Sequence, residues 1–91
     1  MKDHMDVVAV TRRLKRIEGQ VRGIVKMIEN DNSCEDILIQ IGSIKSSLHK
    51  TGQIIMEGYI HKCFTDGIRE RKGEETFRNL SSAIEQFSRI V

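Results

Sequence analysis

Apolar residues recur along the chain at the alternating three- and four-residue spacing of amphipathic helices. The first series runs through Val7, Val10, Leu14, Ile17, Val21, Ile24 and Ile28. This spacing brings all of its side chains to one face of a helix and predicts helix one over about residues 6–29. The polar cluster from Asn30 to Ser33 then predicts a turn.

A second series begins after Ser33, which is a typical helix N-cap and has Asp36 three residues later. The series comprises Cys34, Ile37, Ile41, Ile44, Leu48, Thr51, Ile55, Tyr59 and Cys63. Further apolar residues widen this surface beyond one face, which is typical of a helix buried between several partners. The pattern predicts helix two over about residues 34–64, followed by a polar connection from Thr65 to Gly73.

A third series, at Phe77, Leu80, Ile84 and Phe87, predicts helix three over about residues 74–90. The chain contains no proline, which favours long uninterrupted helices. We therefore predict one all-α domain over residues 1–91. The very apolar second helix favours a dimer in which helices one and two of both subunits form an antiparallel four-helix bundle. Helix three would cap this bundle or join further subunits.

The two cysteines of the chain stand at opposite ends of helix two. Their 29-residue separation corresponds to roughly 43 Å along the axis and about 20° around it. Cys34 and Cys63 therefore share a face, but they are too far apart for a disulfide or a shared metal within one chain. An antiparallel pair of such helices would bring Cys34 of one subunit to Cys63 of the other. Reactive or metal-binding thiols and plain apolar packing both remain open interpretations.

Two further side chains near Cys63 bear on its chemistry. Tyr59 lies four residues earlier and shares the cysteine face, whereas His61 points about 180° away from it. This face therefore offers two sulfurs and a phenol. The phenol is a poor ligand for Cu(I), so only the two sulfurs suit that ion. We expect His61 to be a partly solvated surface residue.

Charge is distributed unevenly, although the net charge is only +2. Basic residues cluster on the first two helices at Arg12, Arg13, Lys15, Arg16, Arg22, Lys26, Lys45 and Lys50. This cluster is either a solvated helix face or a surface that contacts DNA phosphates. The chain shows no signal peptide and no apolar run near the roughly 20 residues of a membrane span, so we expect a cytoplasmic protein without membrane contact.

The block R-x-x-R-I-x-G-Q-V-x-G at Arg13–Gly23 and the cysteines that open and close helix two resemble the CsoR/FrmR/RcnR family of bacterial transcriptional repressors. The resemblance covers about residues 7–90. It implies a non-enzymatic regulator, a dimer of dimers, and operator binding that an inducer at an inter-subunit site abolishes. By motif match, Arg13 and Lys50 resemble the DNA-contacting positions. With the basic cluster, this predicts DNA contacts from Arg12, Arg13, Arg16, Lys45 and Lys50.

The family resemblance also suggests an inducer. Copper sensors of the family carry a histidine where this chain has Tyr59, so two cysteines without that histidine resemble the persulfide-sensing, CstR-like branch. This resemblance implies that Cys34 attacks a persulfide donor and that Cys63 of the partner subunit closes a di-, tri- or tetrasulfide, with no cofactor. The alternative is a repressor that binds Cu(I) through the same two thiolates.

Overall fold

Three helices form the chain in the computed structural model, which describes residues 5–70 and 73–89, without the side chains of residues 67–70. They are α1 (Val7–Glu29), α2 (Cys34–Glu70) and α3 (Gly73–Ser88). The described residues contain no strand, so the predicted all-α fold is confirmed. The helices belong to two compact units, Val7–Thr51 and the part of the chain from Gly52 onwards.

The turn between α1 and α2 is a Schellman motif. The Asn32 N–H donates to the Met27 carbonyl at 2.9 Å, and the Asp31 N–H donates to the Ile28 carbonyl at 3.1 Å. Asp31 occupies the left-handed position of the motif with φ 55°, where glycine is the usual residue. These bonds satisfy carbonyls at the end of α1 and terminate the helix.

Ser33 starts α2 as its N-cap. The Asp36 N–H donates to Ser33 Oγ at 3.1 Å, and the Ile37 N–H donates to the Ser33 carbonyl at 3.1 Å. The predicted cap is confirmed, and it makes Cys34 the first residue of the helix.

The predicted end of α2 is wrong, because the helix continues through the expected connection to Glu70. Polar side chains support this extension from within the helix. Lys62 Nζ pairs with Asp66 Oδ2 at 2.6 Å, and the Thr65 hydroxyl donates to the His61 carbonyl at 3.0 Å. Such contacts between residues four apart sustain a helix without apolar periodicity. Helix three begins at Gly73 and ends at Ser88; its expected end at residue 90 lies outside the described residues.

The first and second apolar series each form a stripe along their helix, which we call a seam. In the unit Val7–Thr51, each seam divides into an inner, buried edge and an outer, exposed edge. Val10 and Ile17 of α1 and Thr51 of α2 are buried, with Ile37 and Ile44 half-buried. The alternating members of both seams are exposed: Val7, Leu14, Val21 and Ile28 on α1, and Cys34, Ile41 and Leu48 on α2. Each helix therefore uses one edge of its seam inside the subunit and presents the other edge to the outside.

The unit that begins at Gly52 repeats this division. On α3, the half-buried residues are Thr76, Leu80, Ala83 and Phe87. Phe77 remains 69% exposed, and Ile84 is exposed as well. The ring of Phe87 comes so close to Gly52 of α2 that an added Cβ would lie 2.8 Å from its Cζ. Glycine at this position therefore permits the close approach of α3 to α2.

Candidate sensor thiols and basic face

Cys34 is exposed at the N-terminus of α2. Backbone N–H groups without helical partners and the positive end of the helix dipole lie at this end. One of these N–H groups is used by Ser33, and the acidic residues Glu35 and Asp36 share the first turn. The structure thus presents the Cys34 thiol to solvent, where an incoming molecule or a second subunit can reach it.

Cys63 differs from Cys34 because it is only 8% exposed. Tyr59 lies one helical turn before it and is half-buried. Burial, together with the charge of Cys63 and a hydrogen bond from the Tyr59 hydroxyl to its sulfur, raises the pKa of Tyr59 above the ordinary value, while Lys62 opposes this shift. A phenol is already neutral near pH 7, and the surroundings of Tyr59 favour that neutral form further.

An open apolar groove of about 420 Å³ adjoins Cys63. Its lining comes from α2 and α3 and consists of Ile60, Cys63, Phe64, Gly73, Thr76, Phe77 and Leu80. Phe64 and Phe77 are 71% and 69% exposed, so the groove has an uncovered aromatic rim. The sequence did not identify this groove, because only the packing of α3 brings its residues beside Cys63.

The metal-binding capacity of a single subunit is limited in the part of the chain that the structure describes. No three side chains of histidine, cysteine, aspartate or glutamate lie close enough there to hold one ion. His61 is exposed, and its neighbour Lys62 is engaged by Asp66. Cys34 and Cys63 both lie on α2, which is unbroken between them. Cys34 belongs to the unit Val7–Thr51, and Cys63 belongs to the unit that begins at Gly52.

The basic residues that the sequence singled out are all exposed and lie in the unit Val7–Thr51. They are Arg12, Arg13, Lys15, Arg16, Arg22, Lys26, Lys45 and Lys50. Arg22 Nη1 lies 3.5 Å from Glu18 Oε1, and both side chains are 70% exposed, so solvent weakens this pair. Lys45 follows Ile41 by four residues and precedes Leu48 by three, which places it on the exposed apolar edge of α2.

Comparisons with known proteins agree with this architecture. A family model described as metal-sensitive transcriptional repressor matches residues 6–89. The copper-sensing transcriptional repressor CsoR of Bacillus subtilis (strain 168) is 40% identical over 80 residues, which cover 88% of this chain and 79% of that protein. The solved structure of the copper-sensing repressor CsoR with Cu(I) from Geobacillus thermodenitrificans NG80-2 matches with a TM-score of 0.85 at 42% identity, over 91% and 86% of the two chains. The nickel-responsive transcriptional regulator InrS matches with a TM-score of 0.83 at 26% identity, over 92% and 94%.

The helical fold and these matches define a transcriptional repressor rather than an enzyme. The chain belongs to the family of metal-sensitive transcriptional repressors. The family assignment made from the Arg13–Gly23 block and the two cysteines is thereby confirmed. Its narrower part, the persulfide-sensing branch, stays a prediction, because the matched relatives are named as copper and nickel sensors. No helix among the described residues is long and apolar enough to cross a membrane.

Proposed function

We propose that this repressor binds operator DNA and is released when an inducer joins Cys34 of one subunit to Cys63 of another. The observation that carries the proposal is the placement of both thiols on one unbroken helix, with Cys34 at its first residue. Because α2 separates them within a chain, a bridge between the two sulfurs requires two subunits. The exposed Cys34 meets the incoming molecule, and the partner's buried Cys63 completes the site.

The surface of the chain supports assembly with a second copy. Large apolar side chains stay exposed on the outer edges of the α1 and α2 seams, among them Leu14, Val21, Ile41 and Leu48. A second copy that covers these edges would remove them from water. We infer an antiparallel dimer in which these edges complete a four-helix bundle, and a dimer of dimers as a further step.

Cu(I) is the inducer that the relatives favour, since the matched CsoR proteins are named as copper sensors. Two cysteine thiolates suit a soft ion. Tyr59 adds little to such a site, because a phenol is neutral near pH 7 and its hard oxygen is a poor ligand for Cu(I). Cys34 and the partner's Cys63 would therefore hold Cu(I) as a pair of sulfurs.

An organic persulfide is the second candidate, and Tyr59 is the specific observation that favours it. The Cys34 thiolate attacks the outer sulfur of R–S–SH, which releases R–S⁻ and leaves a persulfide on Cys34. The Cys63 thiolate of the partner attacks the Cys34 sulfur and expels HS⁻, which closes a disulfide. Each bridge consumes one persulfide as its two-electron oxidant; a second sulfane sulfur gives the trisulfide. This route needs two sulfurs and no third ligand.

Operator release distinguishes these inducers. A duplex selected by the wild-type protein from a random library serves as the probe, and fluorescence anisotropy reports its release after anaerobic Cu(I) or cysteine persulfide. We expect Cys34→Ser and Cys63→Ser to abolish the response to the true inducer, whereas the exposed control His61→Gln responds normally. Mass spectrometry of the non-reduced protein then shows either a Cys34–Cys63 cross-linked peptide or intact thiols.

The outcomes separate the candidates. Release by Cu(I) with intact thiols establishes the copper sensor, and release by persulfide with a cross-linked dimer establishes the sulfur sensor. Full release from DNA in both cysteine variants would contradict the sensing role of the thiols altogether. In the copper case, Tyr59→His should bind Cu(I) more tightly, because imidazole adds a good ligand.

A further inference from the structure

Gly19 is half-buried and Gly23 is exposed on α1, and neither glycine has a packing reason inside the described subunit. They are four residues apart, so they sit one above the other on the helix surface. Neither has a positive φ. A Cβ added at Gly23 would meet nothing within 4 Å, and one at Gly19 would meet only Arg22 Nη2, at an ordinary 3.7 Å. Alanine would fit at both positions.

Glycine in the interior of a helix is destabilising relative to alanine, because it leaves the unfolded chain more freedom. Two such glycines in the middle of a 23-residue helix weaken α1 without any compensating contact in the described subunit. What glycine does provide is access, since a ligand can approach the helix backbone more closely where no Cβ stands in the way. The missing partner is therefore expected outside the subunit.

The charges around the two glycines identify the kind of partner. Three of the four residues that neighbour Gly19 at a distance of three or four positions are basic, and the fourth is Gly23. These basic neighbours are Lys15, Arg16 and Arg22. Arg12 and Lys26 extend the same face by one turn in either direction. A second copy that presented this face would oppose like charges, whereas a polyanion complements it.

We propose that the sugar–phosphate backbone of duplex DNA packs directly against α1 at Gly19 and Gly23, with phosphates held between the surrounding basic side chains. This inference rests on the proposed operator binding and adds its docking point. Exposed cations alone attract DNA from many directions, whereas a gap in the side-chain layer fixes where the backbone lies on the helix. Gly19 and Gly23 thus fix where the DNA backbone lies on α1. The negative charge of its phosphates is neutralised by Lys15, Arg16 and Arg22.

The test compares Gly19→Ala and Gly23→Ala with Gly42→Ala, a matched control. Gly42 is an exposed interior glycine of α2 in the same unit, and a Cβ there also meets nothing within 4 Å. All three substitutions should raise the melting temperature, because alanine favours the helix. We expect Gly19→Ala and Gly23→Ala to weaken binding to the selected duplex by about tenfold each, the size of one lost charge-assisted contact. Their salt dependence should also become less steep.

Each outcome is decisive. Higher melting temperature with weaker DNA binding in the α1 variants alone supports the proposal, since unfolding cannot then explain the loss. Wild-type affinity in both α1 variants would overturn it. A changed oligomeric state of these variants in sedimentation without DNA would also overturn it, and would assign the glycines to a subunit contact. If the wild-type protein selects no duplex at all, the proposed operator binding fails together with this inference.

Discussion

The contact between Gly52 and Phe87 gives a quantitative prediction about how α3 is held on α2. A Cβ at position 52 would lie 2.8 Å from Phe87 Cζ and still nearer to Cε1, so the ring would have to move. Alanine gains about 0.5–1 kcal/mol from helix propensity. Overpacking of a fitted site costs about 1–3 kcal/mol. We therefore expect Gly52→Ala to lower the free energy of unfolding by about 1 kcal/mol, whereas Gly42→Ala, with open space around its Cβ, raises it by about 0.5–1 kcal/mol.

The assay is thermal unfolding followed by circular dichroism at one fixed protein concentration, because assembly makes the melting temperature concentration-dependent. A change of 1 kcal/mol corresponds to about 4–8 °C in a domain of this size. Phe87→Ala supplies the control background: without the ring, Gly52→Ala should become neutral or stabilising. The reasoning is refuted if Gly52→Ala stabilises the wild-type protein as much as Gly42→Ala does.

Two further predictions concern single residues. Asp31→Val should lower the free energy of unfolding in urea by about 1–2 kcal/mol, because a β-branched residue resists the left-handed conformation at φ 55°, whereas Asp31→Gly should show no loss. Tyr59 is the one tyrosine in a chain without tryptophan, so absorbance reports its ionisation directly. Its raised pKa favours the neutral phenol in the folded state, so its stabilising contribution is present below the unfolded pKa and is lost as pH rises through the folded pKa. Cys63→Ser should lower the pKa of Tyr59 part of the way, and an unchanged titration would contradict the contact.

The sequence predicted the helices well, because heptad spacing and caps are local signals. Ser33 and the apolar series of α1 were sufficient to place both helices at their common turn. Periodicity identifies an apolar face but not the partner that covers it. It therefore could not show that Val10 and Ile17 pack inside the subunit while Leu14 and Val21 stay exposed.

The end of α2 and the surroundings of Cys63 were beyond sequence reasoning for different reasons. The polar stretch after Phe64 has no apolar periodicity, so the sequence predicted a connection there. The ion pair between Lys62 and Asp66, four residues apart, instead supports the helix across this stretch. The groove beside Cys63 depends on α3, whose Leu80 is distant in sequence and is brought there only by packing. The position of Tyr59 beside Cys63 was predictable, because both lie on one helix at a fixed four-residue spacing.

The choice between the two inducers depends on how many ligands the site must supply. A sulfur bridge forms between two thiols and needs nothing more from the protein, so the protonated phenol of Tyr59 is compatible with it and can hydrogen-bond to Cys63. A copper site gains affinity with each good ligand, and here the third position holds a neutral oxygen instead of an imidazole. The relatives are named as copper sensors, which favours copper by similarity, whereas the persulfide proposal relies on Tyr59 standing one helical turn from Cys63 in place of a better ligand. If copper is nevertheless the inducer, the two thiolates must provide its affinity by themselves, and loss of either cysteine should then abolish tight Cu(I) binding rather than merely weaken it.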